Sequence, residues 1–100
     1  MFGQWKTSYG DIILFSKVNG ENMLSYNVSM NPSLPAHKKK EFIYQDNKLG
    51  IKDGLNDPGN FSFLQTFKWQ QAGKSFEVQG IEWVAFLAST STWFTFTKIP

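Results

Sequence analysis

The chain contains no cysteine, no arginine and one histidine, and all ten of its basic residues are lysines. Without thiols, it cannot form a disulfide framework, a thiolate zinc site or a cysteine nucleophile. The lack of arginine argues against sequence-specific reading of nucleic acid, because the guanidinium makes the two-point contacts to phosphate and guanine. The single histidine, His37, lies in a polar, lysine-rich segment that does not favour a Ser-His-Asp site. We therefore predict a protein that is not an enzyme and needs no metal or cofactor.

Long apolar runs are also missing. No stretch reaches the ~18 residues of a membrane-spanning helix, and the first residues lack the basic start and apolar core of a signal peptide. These absences predict no membrane span and a cytoplasmic location. A length of 100 residues with a net charge of +2 predicts one globular domain over residues 1–100.

Aromatic residues, by contrast, are abundant: the chain has ten Phe, four Trp and three Tyr. They occur in short segments that alternate apolar and polar residues, which is the pattern of half-buried strands. The two clearest series are Leu24, Tyr26, Val28 and Met30, and then Phe61, Phe63, Phe67 and Trp69. Turn signals separate such segments at Asn19-Gly20, Asp46-Asn47, Asp57-Pro58-Gly59-Asn60 and Gln71-Ala72-Gly73-Lys74.

This spacing predicts an all-β fold, a small antiparallel meander β-barrel of about eight short strands. Residues 33–45 are compatible with either a short helix or a strand. A change of apolar parity near Gly80 predicts a bulge or tight turn. The next segment, residues 81–88, fits helical spacing at Ile81, Val84, Ala85 and Ala88, but its aromatic residues favour a fully buried strand, which is the prediction we prefer. A last strand is expected from Thr92 onwards, with Phe94 and Phe96 on one face.

The ends of the chain resemble a known family of barrels. Gly3-Gln4-Trp5, followed by Gly10, resembles the Gly-x-Trp opening strand of calycin barrels and, more narrowly, of avidin and streptavidin. The segment from Phe61 to Lys68 is similar to the fifth strand of that family, and Phe96-Thr97-Lys98 to its closing strand. The resemblance implies a ligand-binding barrel in which Trp5 plugs one end.

The same resemblance places Phe67 where a biotin-contacting Trp is usual, and it retains Tyr26 among the polar contacts to biotin. The other polar contacts would fall near Thr7, Asp11, Val28 and Phe94, where the residue types differ. Buried polar groups of a ligand that lose their partners cost about 1 to 3 kcal/mol each, so tight binding of biotin is not expected.

The main functional prediction is a non-enzymatic binding protein with an aromatic-lined pocket or surface. Its ligand would be a small apolar molecule or a protein partner, because aromatic side chains dominate pockets and interfaces. The candidate ligand-binding residues are Tyr26, Phe67, Trp69, Phe76 and Trp83. Lys38, Lys39 and Lys40 form a candidate patch for docking to an anionic partner. The simpler interpretation of this run is a solvated loop or strand.

Two alternatives belong to other functional classes. The first is an OB-like protein that binds single-stranded nucleic acid, with Tyr44, Phe61, Phe63, Phe67 and Trp69 stacking on bases. Lys68 and Lys74 would join the lysine run in contacting phosphates. The second is a small interaction or inhibitor protein of phage or pathogen origin, acting through a strand edge or its Trp-rich tail. Self-association as a homo-oligomer through Trp69 and Trp93 would fit this second alternative.

Overall fold

A computed structural model of the chain describes residues 1–27, 33, 37–52, 61–83 and 91–100. Within these ranges the chain forms nine strands and one turn of 3₁₀ helix at Gly80–Glu82. The strands are β1 (Gly3–Thr7), β2 (Ile12–Val18), β3 (Glu21–Asn27), β4 (His37–Gln45), β5 (Lys48–Lys52), β6 (Phe61–Phe63), β7 (Lys68–Gln71), β8 (Ser75–Gln79) and β9 (Trp93–Lys98). The predicted all-β class is confirmed, with nine strands in place of about eight.

All nine strands belong to one sheet, in the order β6-β5-β4-β3-β2-β1-β9-β8-β7. Every neighbouring pair is antiparallel. The first strand lies inside the sheet, since Lys6 is opposite Ile12 on β2 and opposite Thr97 on β9. The two ends of the described chain therefore pair with each other.

Two of the hairpins have two-residue turns whose backbone is left-handed at both positions. The φ angles are 52° and 83° at Asn19 and Gly20, and 53° and 59° at Asp46 and Asn47. Positive φ at both central residues is the type I′ geometry, whose twist matches that of the flanking strands. Asn, Asp and Gly tolerate this conformation best, so the sequence signals at these two turns are confirmed.

The sheet is strongly curved. Strands β6 and β7 follow each other along the chain but lie at opposite edges of the sheet. The four residues between them span at most roughly 17 Å from strand to strand, whereas nine flat strands would extend over roughly 38 Å. Within the described residues no ladder joins β6 to β7, so the sheet curls towards a barrel without the hydrogen-bonded closure that was predicted.

Alternate residues of the strands form a core on the concave face of the sheet. The buried apolar residues are Trp5, Ile13, Phe15, Leu24, Tyr26, Phe42, Leu49, Ile51, Phe76, Val78, Trp83, Phe94 and Phe96. Phe76 stacks on Phe96 with ring centroids 4.6 Å apart, and Trp83 meets Phe96 edge-on at 4.6 Å. Full burial of each large side chain contributes about 1.5–3 kcal/mol, which fixes the register of every strand that carries one.

The aromatic side chains of strand β6 lie on the opposite face of the sheet from the one predicted. Ser62 lies opposite the buried Ile51, so Phe61 and Phe63 point to the convex face. The prediction that they share a face with Phe67 and Trp69 is therefore wrong. A turn at residues 65–66 interrupts the strand, and the parity of residue numbers does not carry across it.

The ambiguous segments are settled only in part. Residues 37–45 form β4, the strand alternative, while residues 34–36 lie outside the described ranges. A tight turn at Gly80 is confirmed as the 3₁₀ turn, and its presence contradicts a strand that starts at Ile81. The remainder of that predicted strand, the turn at 57–60, and Val28 and Met30 also lie outside the described ranges. The final strand is confirmed as β9, with Phe94 and Phe96 buried.

Candidate functional site

Three partly buried rings lie where the two edges of the curled sheet approach each other. Tyr44 is on β4, Phe67 ends the connection after β6, and Trp69 is on β7; we call these three residues the aromatic seam. The ring centroids are 6.3 Å apart for Tyr44 and Phe67, 6.1 Å for Tyr44 and Trp69, and 5.5 Å for Phe67 and Trp69. Such edge-to-face pairs contribute about 0.5–1.5 kcal/mol each beyond buried area. Side chains thus hold together the two parts of the sheet that no ladder joins.

A chain of hydrogen bonds runs through the aromatic seam towards solvent. The indole Nε1 of Trp69 donates to the Tyr44 hydroxyl oxygen at 3.0 Å. That hydroxyl donates in turn to Oδ1 of Asn47, also at 3.0 Å. The chain satisfies both polar groups of the aromatic seam and fixes the side chain of Asn47 in the β4–β5 turn.

The β6–β7 connection (residues 64–67) is held by a carboxylate from a distant part of the sequence. Glu82 accepts hydrogen bonds from the backbone N–H of Gln65 at 2.8 Å and of Thr66 at 2.6 Å, and from the Thr66 hydroxyl. The Thr66 Oγ1 also accepts from the backbone N–H of Gln79 at 2.9 Å. These hydrogen bonds hold the connection next to the end of β8. They fix the backbone at residues 65–66, immediately before Phe67, whose side chain turns towards the core.

Buried rings support the aromatic seam from behind. The Phe76 centroid is 5.1 Å from that of Phe67 and 5.7 Å from that of Trp69. Trp5 is completely buried, and its ring centroid lies 5.0 Å from Phe76 and 6.0 Å from Trp69. Its indole N–H donates to the Met1 carbonyl oxygen at 2.8 Å. The aromatic seam therefore rests on a packed wall.

A surface depression of about 430 Å³ lies beside the aromatic seam, and Phe67 belongs to both. The β4–β5 turn, residues 45–48, lines one side of it. Phe63, Leu64, Gln65 and Phe67 line the other side. We call this feature the seam depression. Its volume lies within the roughly 300–1,000 Å³ of small-molecule sites.

A second depression, of about 570 Å³, lies over the β7–β8 turn and the end of β9. The described residues that line it are polar or aliphatic, for example Lys74, Thr97 and Ile99, and none of them is aromatic. Because aromatic side chains carry most of the energy at recognition sites, the smaller seam depression is the better candidate.

The predicted ligand-binding residues occupy two different environments. Tyr26, Phe76 and Trp83 lie in the core, with exposed fractions of 2%, 0% and 1%. Phe67 and Trp69 are only partly buried and lie next to each other in the aromatic seam. Only these two of the five therefore have surface that a ligand can reach without opening the core.

The three lysines of the candidate patch for anionic partners alternate between the two faces of β4. Lys38 is opposite Tyr26 and Lys40 is opposite Leu24, so both take the concave side. Lys39 is opposite Ser25 and takes the convex side. The register thus splits this run of lysines, because successive residues of a strand point to opposite faces.

The residues of the two alternative functions are likewise divided. Among the rings proposed to stack on bases, Phe61 and Phe63 lie on the convex face, and the aromatic seam lies at the sheet edges. Trp93, proposed for self-association with Trp69, is 43% exposed on β9. Trp93 pairs with Gln79 and shares its face of the sheet. Trp69 pairs with the buried Phe76 and shares the other, core-facing side, so the two tryptophans lie on different faces.

Two tyrosines have perturbed acidity. Burial raises the pKa of Tyr9 above its ordinary value of 10.0, and the hydrogen bond from the Trp83 indole opposes that shift without cancelling it. The indole Nε1 lies 2.6 Å from the Tyr9 hydroxyl oxygen. Burial also raises the pKa of Tyr26. Both side chains therefore stay neutral over the physiological range, and the Tyr9 hydroxyl accepts the hydrogen bond from the Trp83 indole.

Sequence reasoning missed the polar half of the seam depression. Asp46 and Asn47 were recognised as turn residues, and that turn is what presents them beside Phe67. Gln65 and Glu82 carried no local signal, because their contact joins residues 17 positions apart. Within the described ranges, no group of three or more His, Cys, Asp or Glu side chains is arranged to hold a metal ion.

Comparison with known proteins gives no relative: no protein-family model, no curated protein and no solved structure matches the chain. In the part of the chain that the structure describes, no helix has the length and apolar character needed to cross a membrane.

Proposed function

We propose that the protein is a non-enzymatic binding protein that takes a small ligand in the seam depression. The observation that carries this proposal is the position of Phe67. Its ring contacts Tyr44, Trp69 and Phe76 on the inner side, and it also lines the seam depression. A partly exposed ring held by packed neighbours offers apolar contact area at little cost in side-chain entropy.

The proposal gives the seam depression no catalytic role. Of the described residues in its lining, the ionisable ones are one carboxylate, Asp46, and one ammonium, Lys48. The histidine, His37, begins β4, and the turn that lines the depression follows the other end of that strand. The eight residue steps between His37 and Gln45 correspond to roughly 26 Å, so imidazole chemistry does not reach the site.

Titration with apolar probes tests the proposal. Decanol and 2-naphthol should change the tryptophan fluorescence of the full chain. The variant Phe67→Leu keeps an apolar side chain but removes the ring, and we expect it to weaken probe binding by roughly tenfold, which corresponds to about 1.4 kcal/mol.

A matched control is Leu14→Ala, because Leu14 is an apolar residue on the convex face with 39% exposure. It should bind the probes as tightly as the wild type. Urea unfolding of both variants checks that each remains folded. If Phe67→Leu binds the probes as well as the wild type does, the proposed site is wrong.

A further inference from the structure

The polar side of the seam depression combines hydrogen-bond donors and acceptors at short spacing. Asp46 supplies a carboxylate, which only accepts, and Lys48 an ammonium, which only donates. Gln45 and Gln65 supply amides, which do both. A ligand that matches this mixture must itself carry several groups able to donate and accept.

Asn47 is held in place between the aromatic seam and the depression. Its Oδ1 accepts the Tyr44 hydroxyl at 3.0 Å, which orients the amide. Its left-handed backbone, with a φ of 59°, belongs to the type I′ turn. A polar group fixed in this way loses little entropy when it binds a ligand.

Phe63, Leu64 and Phe67 line the apolar side of the seam depression. The faces of aromatic rings are electron-rich and attract positively polarised groups at their surface. Ring C–H groups next to hydroxyl-bearing carbons are polarised in this sense. One small surface therefore combines an aromatic contact with a row of hydrogen-bonding groups.

Among the residues that the structure describes, the charge of the seam depression is balanced, since one carboxylate and one ammonium line it. An anion such as a phosphate or a fatty acid would meet Asp46 as a like charge, and a cation would meet Lys48 as one, so neither sign of charge gains a net attraction. A ligand without charge meets no such repulsion. The lining thus matches a neutral ligand with many hydroxyl groups.

From these four properties we propose that the seam depression binds a neutral carbohydrate. The C–H face of a sugar ring packs on Phe67 or Phe63, and its hydroxyls exchange hydrogen bonds with the side chains of Asp46, Asn47 and Gln65. Each hydroxyl both donates and accepts, so it fits any of these partners. The inference rests on the proposed function and narrows its ligand to one chemical class.

The hydrogen-bond chain from Trp69 through Tyr44 to Asn47 supplies a direct readout. The Asn47 Oδ1 can accept a second hydrogen bond, so a sugar hydroxyl that donates to it alters the hydrogen bond from Tyr44 and with it the environment of the Trp69 indole N–H. In ¹H–¹⁵N spectra of the full chain, the indole signal of Trp69 is the one that Trp69→Phe removes.

The experiment titrates the full chain with hexamers of glucose, mannose and N-acetylglucosamine, with a galacturonate hexamer as the acidic counterpart and decanol as the apolar probe. We expect at least one neutral hexamer to shift the Trp69 indole signal. Asp46→Asn and Asn47→Gly should each weaken its binding by roughly tenfold, as expected when a hydrogen bond to a ligand is lost. Glycine tolerates the positive φ of this turn, so Asn47→Gly keeps the fold.

Glu21→Gln is the matched control, because Glu21 is exposed and lies next to the other type I′ turn, outside the depression. It should bind the neutral hexamer as the wild type does. If the hexamer binds but Asp46→Asn and Asn47→Gly have no effect, the assigned site is wrong. If the galacturonate hexamer binds more tightly than every neutral one, the inference of a neutral ligand is overturned.

The decanol titration distinguishes failure of the carbohydrate inference from failure of the proposed function. If decanol shifts the Trp69 signal and no hexamer does, the carbohydrate inference falls and the proposed function stands. If neither decanol nor any hexamer shifts it, both fall.

Discussion

Gly50 lies at a crowded point of the convex face. A Cβ atom at this position would be 2.9 Å from Cγ2 of Ile43 and 3.2 Å from Cδ1 of Phe63. We predict that Gly50→Ala lowers the free energy of unfolding by about 1–3 kcal/mol, the usual cost of overpacking. Urea denaturation followed by far-UV circular dichroism measures the loss.

The double variant Gly50→Ala with Ile43→Ala tests the cause. Removing Cγ2 of Ile43 gives the new methyl group room, so the second substitution should cost less in the Gly50→Ala background than in the wild type. Equal costs in the two backgrounds would show that crowding between these residues is not responsible.

Tyr9 makes the free energy of unfolding depend on pH in the alkaline range. Because burial raises its pKa above the ordinary value of 10.0, the unfolded chain loses the phenolic proton at lower pH than the folded chain does. The stabilisation of the folded state that comes from the protonated Tyr9 side chain is fully present below pH 10 and is lost as the pH rises above 10. We predict that the free energy of unfolding falls between about pH 10 and 11, measured by urea titration at each pH.

Lysines also titrate in this range, so the difference between wild type and Tyr9→Phe isolates the tyrosine. The variant should be less stable at pH 8, where it lacks the hydrogen bond from Trp83, and the gap should narrow as the pH rises. A gap that stays constant up to pH 11 would mean that Tyr9 titrates as it does in the unfolded chain.

At the scale of elements, the β6–β7 connection depends on one carboxylate. We predict that Glu82→Ala lowers the free energy of unfolding by about 1–3 kcal/mol, because the N–H groups of Gln65 and Thr66 lose their acceptor. Hydrogen exchange at these two amides should accelerate more than exchange in β2 and β3.

Glu41→Ala is a suitable comparison, since Glu41 forms a partly exposed ion pair with Lys52 at 3.3 Å. Exposed pairs of this kind contribute about 0–1 kcal/mol, so this variant should remain close to the wild type. If the two variants are equally stable, Glu82 does not hold the connection.

The strands and turns follow from local sequence, and β6 shows where local rules stop. Alternation predicted β3 and β9, and Asn19-Gly20 and Asp46-Asn47 gave the turns. Phe63 and Phe67 keep the same parity, yet a turn held by Glu82 separates them. The sequence near residue 65 contains no pattern that predicts a hydrogen bond to Glu82, which is 17 positions away.

The candidate site was predictable in its aromatic half. Phe67 and Trp69 were identified from their ring type and spacing, and the structure brings them together. Asp46 and Asn47 become part of the site because β5 pairs with β6, with Gly50 opposite Phe63 and the Leu64 N–H bonded to the Leu49 carbonyl, so the β4–β5 turn lies beside residues 63–65. That pairing joins segments that are distant in sequence, and short-range periodicity does not encode it.

At the scale of the molecule, the position of β1 makes folding non-local. Its partners are β2, which is adjacent in sequence, and β9, whose residue Lys98 lies opposite Trp5. Phe94 and Phe96 on β9 also complete the core. We predict that a chain ending at residue 92 is unfolded, with loss of the near-ultraviolet circular dichroism of its tryptophans.

A peptide of residues 93–100, added in excess, should restore part of that signal by pairing with β1 and β8. The same peptide with Phe94 and Phe96 replaced by Ser should not, because it lacks the side chains that fill the core. A truncated chain that remains folded on its own would contradict the structural role given to β9.

The pairing of β1 with β9 also places both ends of the chain on one side of the molecule. The Lys98 ammonium donates to the Phe2 carbonyl at 2.7 Å, and the N–H of Ile99 donates to the Gln4 carbonyl at 2.9 Å. A short glycine-serine bridge should therefore join residue 100 to residue 1 with little strain. New ends could then be opened at the Asn19-Gly20 turn, giving a circularly permuted protein with the same sheet.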